Sequence, residues 1–190
     1  MAAPIVSWYS RDNSQNLTNW DIGTVDAGTI SNEYGFLIWN NKSGVESTSI
    51  MTDCVITVRD TTGGLDGNEL VRGRWVEVKV DSLGESTFFK IGSTESTGQS
   101  DAEYEAVEKE IECDADAFVS AITTVNDNKE DEEIDLVAAD FTSPIGGFAN
   151  DGTKENAKSN FAEVTLRVNV PEAAPAGSVD FLTRVRYSYV

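Results

Sequence analysis

The 190-residue chain contains no histidine. Without an imidazole it cannot assemble a Ser-His-Asp triad, a Cys-His nucleophile pair or a His-containing zinc site. Cysteine is almost as scarce, with Cys54 and Cys113 as the only 2. Two thiols cannot build a four-thiolate metal centre, and a small secreted disulfide scaffold ordinarily uses more of them. The expectation is a pair of reduced, partly buried thiols, with a single bridge between Cys54 and Cys113 as the alternative. Basic residues are also few: 14 Lys and Arg stand against 33 Asp and Glu, a net charge of −19 at pH 7. A surface that negative repels phosphate backbones, so nucleic acid is not expected as a partner. Its plain consequence is solubility and resistance to self-association. No run approaches the ~18 apolar residues of a membrane helix, and Met1 to Tyr9 lacks a basic stretch followed by an apolar one, so no membrane partner is expected and the cytoplasm is the expected site of synthesis. No glycine-rich loop ends in Lys followed by Ser or Thr, which removes nucleotide hydrolysis of the P-loop kind.

What the chain does have is strand patterning. With 39% hydrophobic residues it can bury a core in one domain, or in one domain carrying a large insertion. Ala162, Val164, Leu166, Val168 and Val170 alternate with Glu163, Thr165, Arg167 and Asn169, the pattern of a half-buried strand. Near the C-terminus Val179, Phe181, Val185, Tyr187 and Tyr189 share one face and Arg184, Arg186 and Ser188 the other. The Pro171 to Gly177 connection between them carries two prolines that cannot join a central ladder. Cys54, Ile56 and Val58 face inward on a third strand, and Val76, Val78 and Val80 on a fourth. Thr62-Gly63-Gly64, Asp66-Gly67-Asn68 and Asp81 to Gly84 supply turns around them. Phe36 to Trp39 has no polar face, which predicts a strand covered on both sides and ended by Asn40-Asn41. Ile5 to Tyr9 and Trp20 to Val25 complete the set. Short strands separated by turns, with little helix, predict a mainly β, antiparallel two-sheet sandwich.

Residues 93–160 differ in character. The acids cluster there, in Glu103 to Glu112 and Asp127 to Asp135, and apolar residues thin out. Tyr104, Val107 and Ile111 have helical spacing but also read as an irregular strand, and Ala115 to Ala117 favour helix. The division predicted is therefore 1–92 plus 161–190 as the sandwich core, with 93–160 as an acidic insertion or small subdomain of undetermined structure.

Carboxylates are the main raw material for chemistry. A glycoside hydrolase needs two of them about 5 to 9.5 Å apart across a cleft, and with 33 acids such pairs arise by chance, so no catalytic residue is assigned and the chain is read as a non-enzyme. Calcium, which takes six to eight oxygens from loops, suits the same residues. Asp127, Asn128, Asp131 and Glu133 form one candidate cluster, and Asp114 with Asp116 another. Neither has helix-loop-helix calcium spacing, so a solvated acidic loop is the plainer reading and no cofactor is assigned. Trp8, Trp20, Trp39 and Trp75 fall in expected strands, where core packing accounts for most of them. Trp75 alternates onto the polar face with Glu77 and Lys79, which makes it the candidate interface or glycan contact.

Several segments resemble small immunoglobulin-like structural proteins of tailed phages and prophages of Gram-positive bacteria. They are Trp20 to Gly28, Phe36 to Asn41, Met51 to Cys54, Gly67 to Val71, Trp75 to Ser82, Phe148 to Thr153, Asn160 to Pro171 and Tyr187 to Val190. The resemblance spans most of the chain except about Ser93 to Ser143. It implies an immunoglobulin-like sandwich and a virion structural protein, with other virion proteins as partners, a homo-oligomeric state and assembly in the bacterial host cytoplasm. With the acidic surface and the missing catalytic residues, the expected position is the particle exterior, as a head decoration or a tail, baseplate or fibre component. An adhesion module that binds a host surface glycan is the second expectation, and a hydrolase with two carboxylates the third.

Overall fold

Strand alternation at both ends of the chain decides the architecture. The structure, a computed structural model, describes residues 1–95, 104–127 and 141–189. Strands are numbered along the chain. The larger sheet runs in the order β1 (Val6–Ser10), β2 (Tyr34–Asn40), β8 (Phe161–Val168), β4 (Val76–Val80), β5 (Phe89–Glu95) and β6 (Tyr104–Val107). The smaller sheet runs β7 (Lys109–Glu110), β3 (Met51–Asp60) and β9 (Phe181–Tyr189). Every strand pair is antiparallel. Among the described residues two α-helices join them, α1 (Glu69–Arg72) and α2 (Ala115–Asp127). No helix among the described residues is long and apolar enough to cross a membrane.

Between the sheets lies the main core, where Cys54, Ile56 and Val58 of β3 meet Val76, Val78 and Val80 of β4 and Val164, Leu166 and Val168 of β8. These are the inward sets that alternation singled out. In β2 the two faces go to different cores: Phe36 and Ile38 join the main one, while Leu37 and Trp39 pack with Ala157 and Phe161 on the opposite side. That double coverage is why this strand has no polar alternation.

One expected element comes out differently, and one that the sequence left open is decided. Trp20 to Val25 forms no strand, because Gly23 has a φ of 73° and the Ile22 carbonyl accepts from the Tyr34 hydroxyl at 3.3 Å rather than from a ladder. Tyr104 to Glu110 is strand and not helix. It pairs with β5 as far as Val107, then turns at Glu108 and pairs with β3 through Lys109 and Glu110. One run of chain thereby passes from the larger sheet to the smaller and closes that flank of the sandwich, a corner made by a strand that switches sheets. Ile111, next along, is fully buried in the main core, and Ile145 bridges to Met51 of β3. The described parts of 93–160 thus contribute strands and core side chains to both sheets.

The loops at one end are pinned by buried amides. Asn40 accepts from the Ile5 N–H at 3.1 Å and donates to the Ser49 carbonyl at 2.9 Å. Asn41, held at a φ of 60°, donates to the Gly147 carbonyl at 2.9 Å, and its own carbonyl accepts from Asn150 at 2.7 Å. Asn160 donates to the Phe148 carbonyl at 2.7 Å. Each amide satisfies backbone groups that burial would otherwise leave unpaired. Gly147 must be glycine, since a Cβ there would lie 2.5 Å from the Thr48 carbonyl oxygen.

Candidate functional site: an aromatic groove on the open flank

Opposite the strand that switches sheets, the sandwich is open. Among the described residues the smaller sheet ends at β9 while the larger continues through β2 to β1, so part of its inner face has no described strand over it. Residues 17–25 fill the gap. Trp20 stands edge-on to Phe36 of β2 and Phe181 of β9, with ring centroids 5.3 and 5.5 Å apart, and its indole N–H donates to the Thr183 hydroxyl at 3.1 Å. Trp8 of β1 meets the same Phe36 at 6.1 Å, also edge-on. Such edge-to-face contacts fix ring orientation and add to the burial of area.

The filling is incomplete. A groove of about 860 Å³ remains, walled by Trp8, Trp20, Trp75, Phe36 and Phe181, with a rim that includes Asn19, Asp21, Ser178 and Asp180. The Asp21 carboxylate accepts from the Gly23 N–H at 2.8 Å, which steadies the near rim. On the far rim the Asp180 carbonyl accepts from Asn68 at 3.3 Å, tying β9 to the cap of α1. The lining of the groove exposes somewhat more polar than apolar surface, so aromatic faces and hydrogen-bonding groups are both offered to anything that enters.

Trp75 belongs to this groove rather than to an exposed polar face, which corrects the expectation from alternation. It is half-buried against the main core. The face it was assigned to is covered as well. Glu77 is only 5% exposed, and its carboxylate accepts from Arg167 at 2.7 Å and Asn169 at 3.1 Å. The Arg167 guanidinium in turn lies 3.8 Å from the Phe88 ring centroid, over its face. Alternation marks this layer as polar but cannot show that a second layer of side chains covers it.

The remaining candidates do not gather here. Asn128, Asp131 and Glu133 lie outside the described residues, and Asp127 is the last residue of α2. Asp114 accepts from the Ala117 N–H at 2.9 Å, so it caps the start of α2. No group of three His, Cys, Asp or Glu that could hold a metal occurs among the described residues. Burial, with Glu110 nearby, pushes the Glu112 carboxyl up, but Glu112 does not line the groove. Cys54 and Cys113 are free buried thiols away from it.

The groove escaped the sequence reading because its parts are scattered. Trp8, Trp20, Trp75 and Phe181 are far apart along the chain, and residues 17–25 show neither strand nor helix periodicity once Gly23 breaks the run. No family model matches the chain, and neither does any curated protein or solved structure.

Proposed function

We propose that the chain is an accessory structural protein on the exterior of a tailed-phage virion or phage-tail-like particle, built on an immunoglobulin-like sandwich. In this reading it decorates the head or sits with the tail, baseplate or fibres. Its partners are other virion proteins and further copies of itself. One observation supports the reading above the rest. Asn40-Asn41, Asn150 and Asn160, which lie in three separate segments that carry the resemblance, meet in a single amide network, buried but for the half-buried Asn150. Side chains used this way preserve a rigid framework, which is what a particle component contributes. The absence of histidine points the same way, by removing the commonest general acid-base group.

The test is the composition of purified particles. Mass spectrometry is expected to find the chain at a fixed ratio to the other virion proteins, and electron cryo-microscopy to place it outside the shell or tail tube. Particles of full infectivity and normal composition that lack it would overturn the proposal.

A second reading, glycan binding, draws on three tryptophans sharing one groove with amide and carboxylate groups at its rim. It predicts binding to a host wall glycan that Trp75→Ala weakens by about tenfold or more. No binding of the intact protein to any wall fraction would dispose of it.

A further inference from the structure

We propose that the open edge of β9, together with the groove beside it, is a docking site for an extended acidic segment of a partner protein, which adds to the smaller sheet as a fourth strand. The proposal deepens the particle reading and rests on it only for taking the partner to be a virion protein.

The first argument is the edge itself. β9 is nine residues long and terminates its sheet. Among the described residues its main chain has no ladder partner other than β3. A row of unpaired N–H and C=O groups of that length is a template for another strand, and proteins ordinarily shorten or cover such edges.

Position supplies the second argument. Phe181 and Thr183 are half-buried and Leu182 is exposed, following strand alternation, yet all three line the groove. A cavity that touches both faces of a strand runs along its edge. An added strand would lie in that groove, with alternate side chains entering beside the Trp20–Phe181 pair.

Charge chooses the occupant. Arg184 and Arg186 project from the outer face of β9, and Arg59 stands on the neighbouring strand opposite Leu182. Arg186 is paired with Glu108, but Arg184 has no acidic partner among the described residues. The Arg59 Nε is buried without a hydrogen-bond partner. Acids stand close by as well, with Asp53 acting on Arg186 and Asp180 immediately before the strand, so Arg184, beside the unpartnered Arg59 Nε, is the cation left for a partner on this face among the described residues. A second copy pairing edge to edge meets a penalty: an antiparallel two-fold centred on Val185 sets Arg184 of each copy opposite Arg186 of the other. Moving the centre to either arginine sets that residue opposite itself. Like charges directly opposed destabilise a strand pair, so the edge rejects its own copy and favours Asp or Glu at alternate positions.

Three synthetic nine-residue peptides test this on the whole protein: one alternating valine and glutamate, one alternating valine and lysine, and the glutamate peptide with two central prolines. Binding is read by tryptophan fluorescence, and its location by hydrogen exchange of the β9 amides. The glutamate peptide is expected to bind at least about tenfold more tightly than the lysine peptide, to protect β9 amides, and to lose binding when the prolines remove its N–H groups. Arg184→Glu, at an exposed position, is expected to stay folded by circular dichroism and to reverse the preference. Failure of the glutamate peptide to bind at millimolar concentration would overturn the proposal, as would an unchanged preference in Arg184→Glu. Protection of β9 that rises with protein concentration alone, with a dimer in sedimentation, would overturn it in favour of a second copy. Finding the chain on particles without peptide binding sinks the docking site alone, whereas peptide binding by a chain absent from particles sinks the particle reading alone.

Discussion

Cys54 and Cys113 occupy fully enclosed positions in separate apolar clusters. Burial, the dominant cause for each, pushes both thiols up to about 12 from an ordinary value of 9.0. The folded state therefore holds both protons where the unfolded chain releases them. This contribution is complete below pH 9.0 and is lost as pH rises toward about 12. A thiol reagent at pH 8 is expected to leave both cysteines unmodified in the native protein and to titrate both in urea, and the melting temperature should fall steadily above pH 9. Rapid native-state labelling would refute the account. Carboxylates with the opposite shift act at the other end of the scale. Asp60 accepts from Thr62, Gly64 and Gly67, and these bonds hold its carboxyl below the usual range. Its stabilising effect is present above the ordinary value of 3.8 and is lost as pH falls through the lowered one. The turn glycines of 62–68 were legible in the sequence, but the carboxylate that organises them was not. A Cβ on Gly67 would lie 2.1 Å from an Asp60 oxygen, a constraint visible only in three dimensions.

Among the described side chains of α2, Phe118 and Ile122 are the buried hydrophobic ones. Phe118 and Ile122 pack on Ile50 and Cys113, and the Phe118 ring meets those of Phe141 and Phe148 at 5.7 and 6.0 Å. Val119, one position on, is 61% exposed. Phe118→Ala is expected to cost about 3 kcal/mol in urea unfolding, against less than about 0.5 kcal/mol for Val119→Ala. Equal effects would show that the helix does not dock through this face. Which elements the sequence reveals follows from what covers them. β8 and β9 keep faithful alternation, and β2 announces its two-sided burial by lacking it. Tyr104 to Glu110 stays ambiguous between helix and irregular strand in the sequence because the break at Glu108 shifts the phase of burial, which gives Tyr104, Val107 and Ile111 helical spacing within strand. Residues 17–25 mislead instead: Trp20 and Ile22 alternate like a strand but serve as a plug, with ladder bonds replaced by single side-chain contacts.

Across the whole molecule, the excess of 33 acids over 14 basic residues sets a repulsion that local pairs only partly relieve. On the outer face of the larger sheet, Arg11 and Lys154 both contact Glu163, at 3.0 and 2.8 Å, and Arg11 and Lys79 both approach Asp81. Such partly exposed pairs contribute little each, so screening should relieve more repulsion than it removes attraction. Raising sodium chloride from about 20 to about 500 mM is expected to lift the melting temperature by about 2 to 5 °C. A fall would mean that the Glu163 and Asp81 network outweighs the net charge.

The two flanks of the sandwich also differ in how they would carry load. The run through Glu108 stitches the sheets together on one side, whereas on the other, among the described residues, β9 is laddered along a single edge and β1, laddered to β2, is tied beyond it by the Tyr9–Asn16 bridge and bonds to Gln15 and Leu17. Tension applied between Ala2 and Tyr189 enters through those two strands. The molecule thus has a sewn seam and a peelable one. Its first yield under force would be β9 leaving β3 while the six-stranded sheet stays whole, and a partner strand laid along β9 would raise the force at which that seam opens.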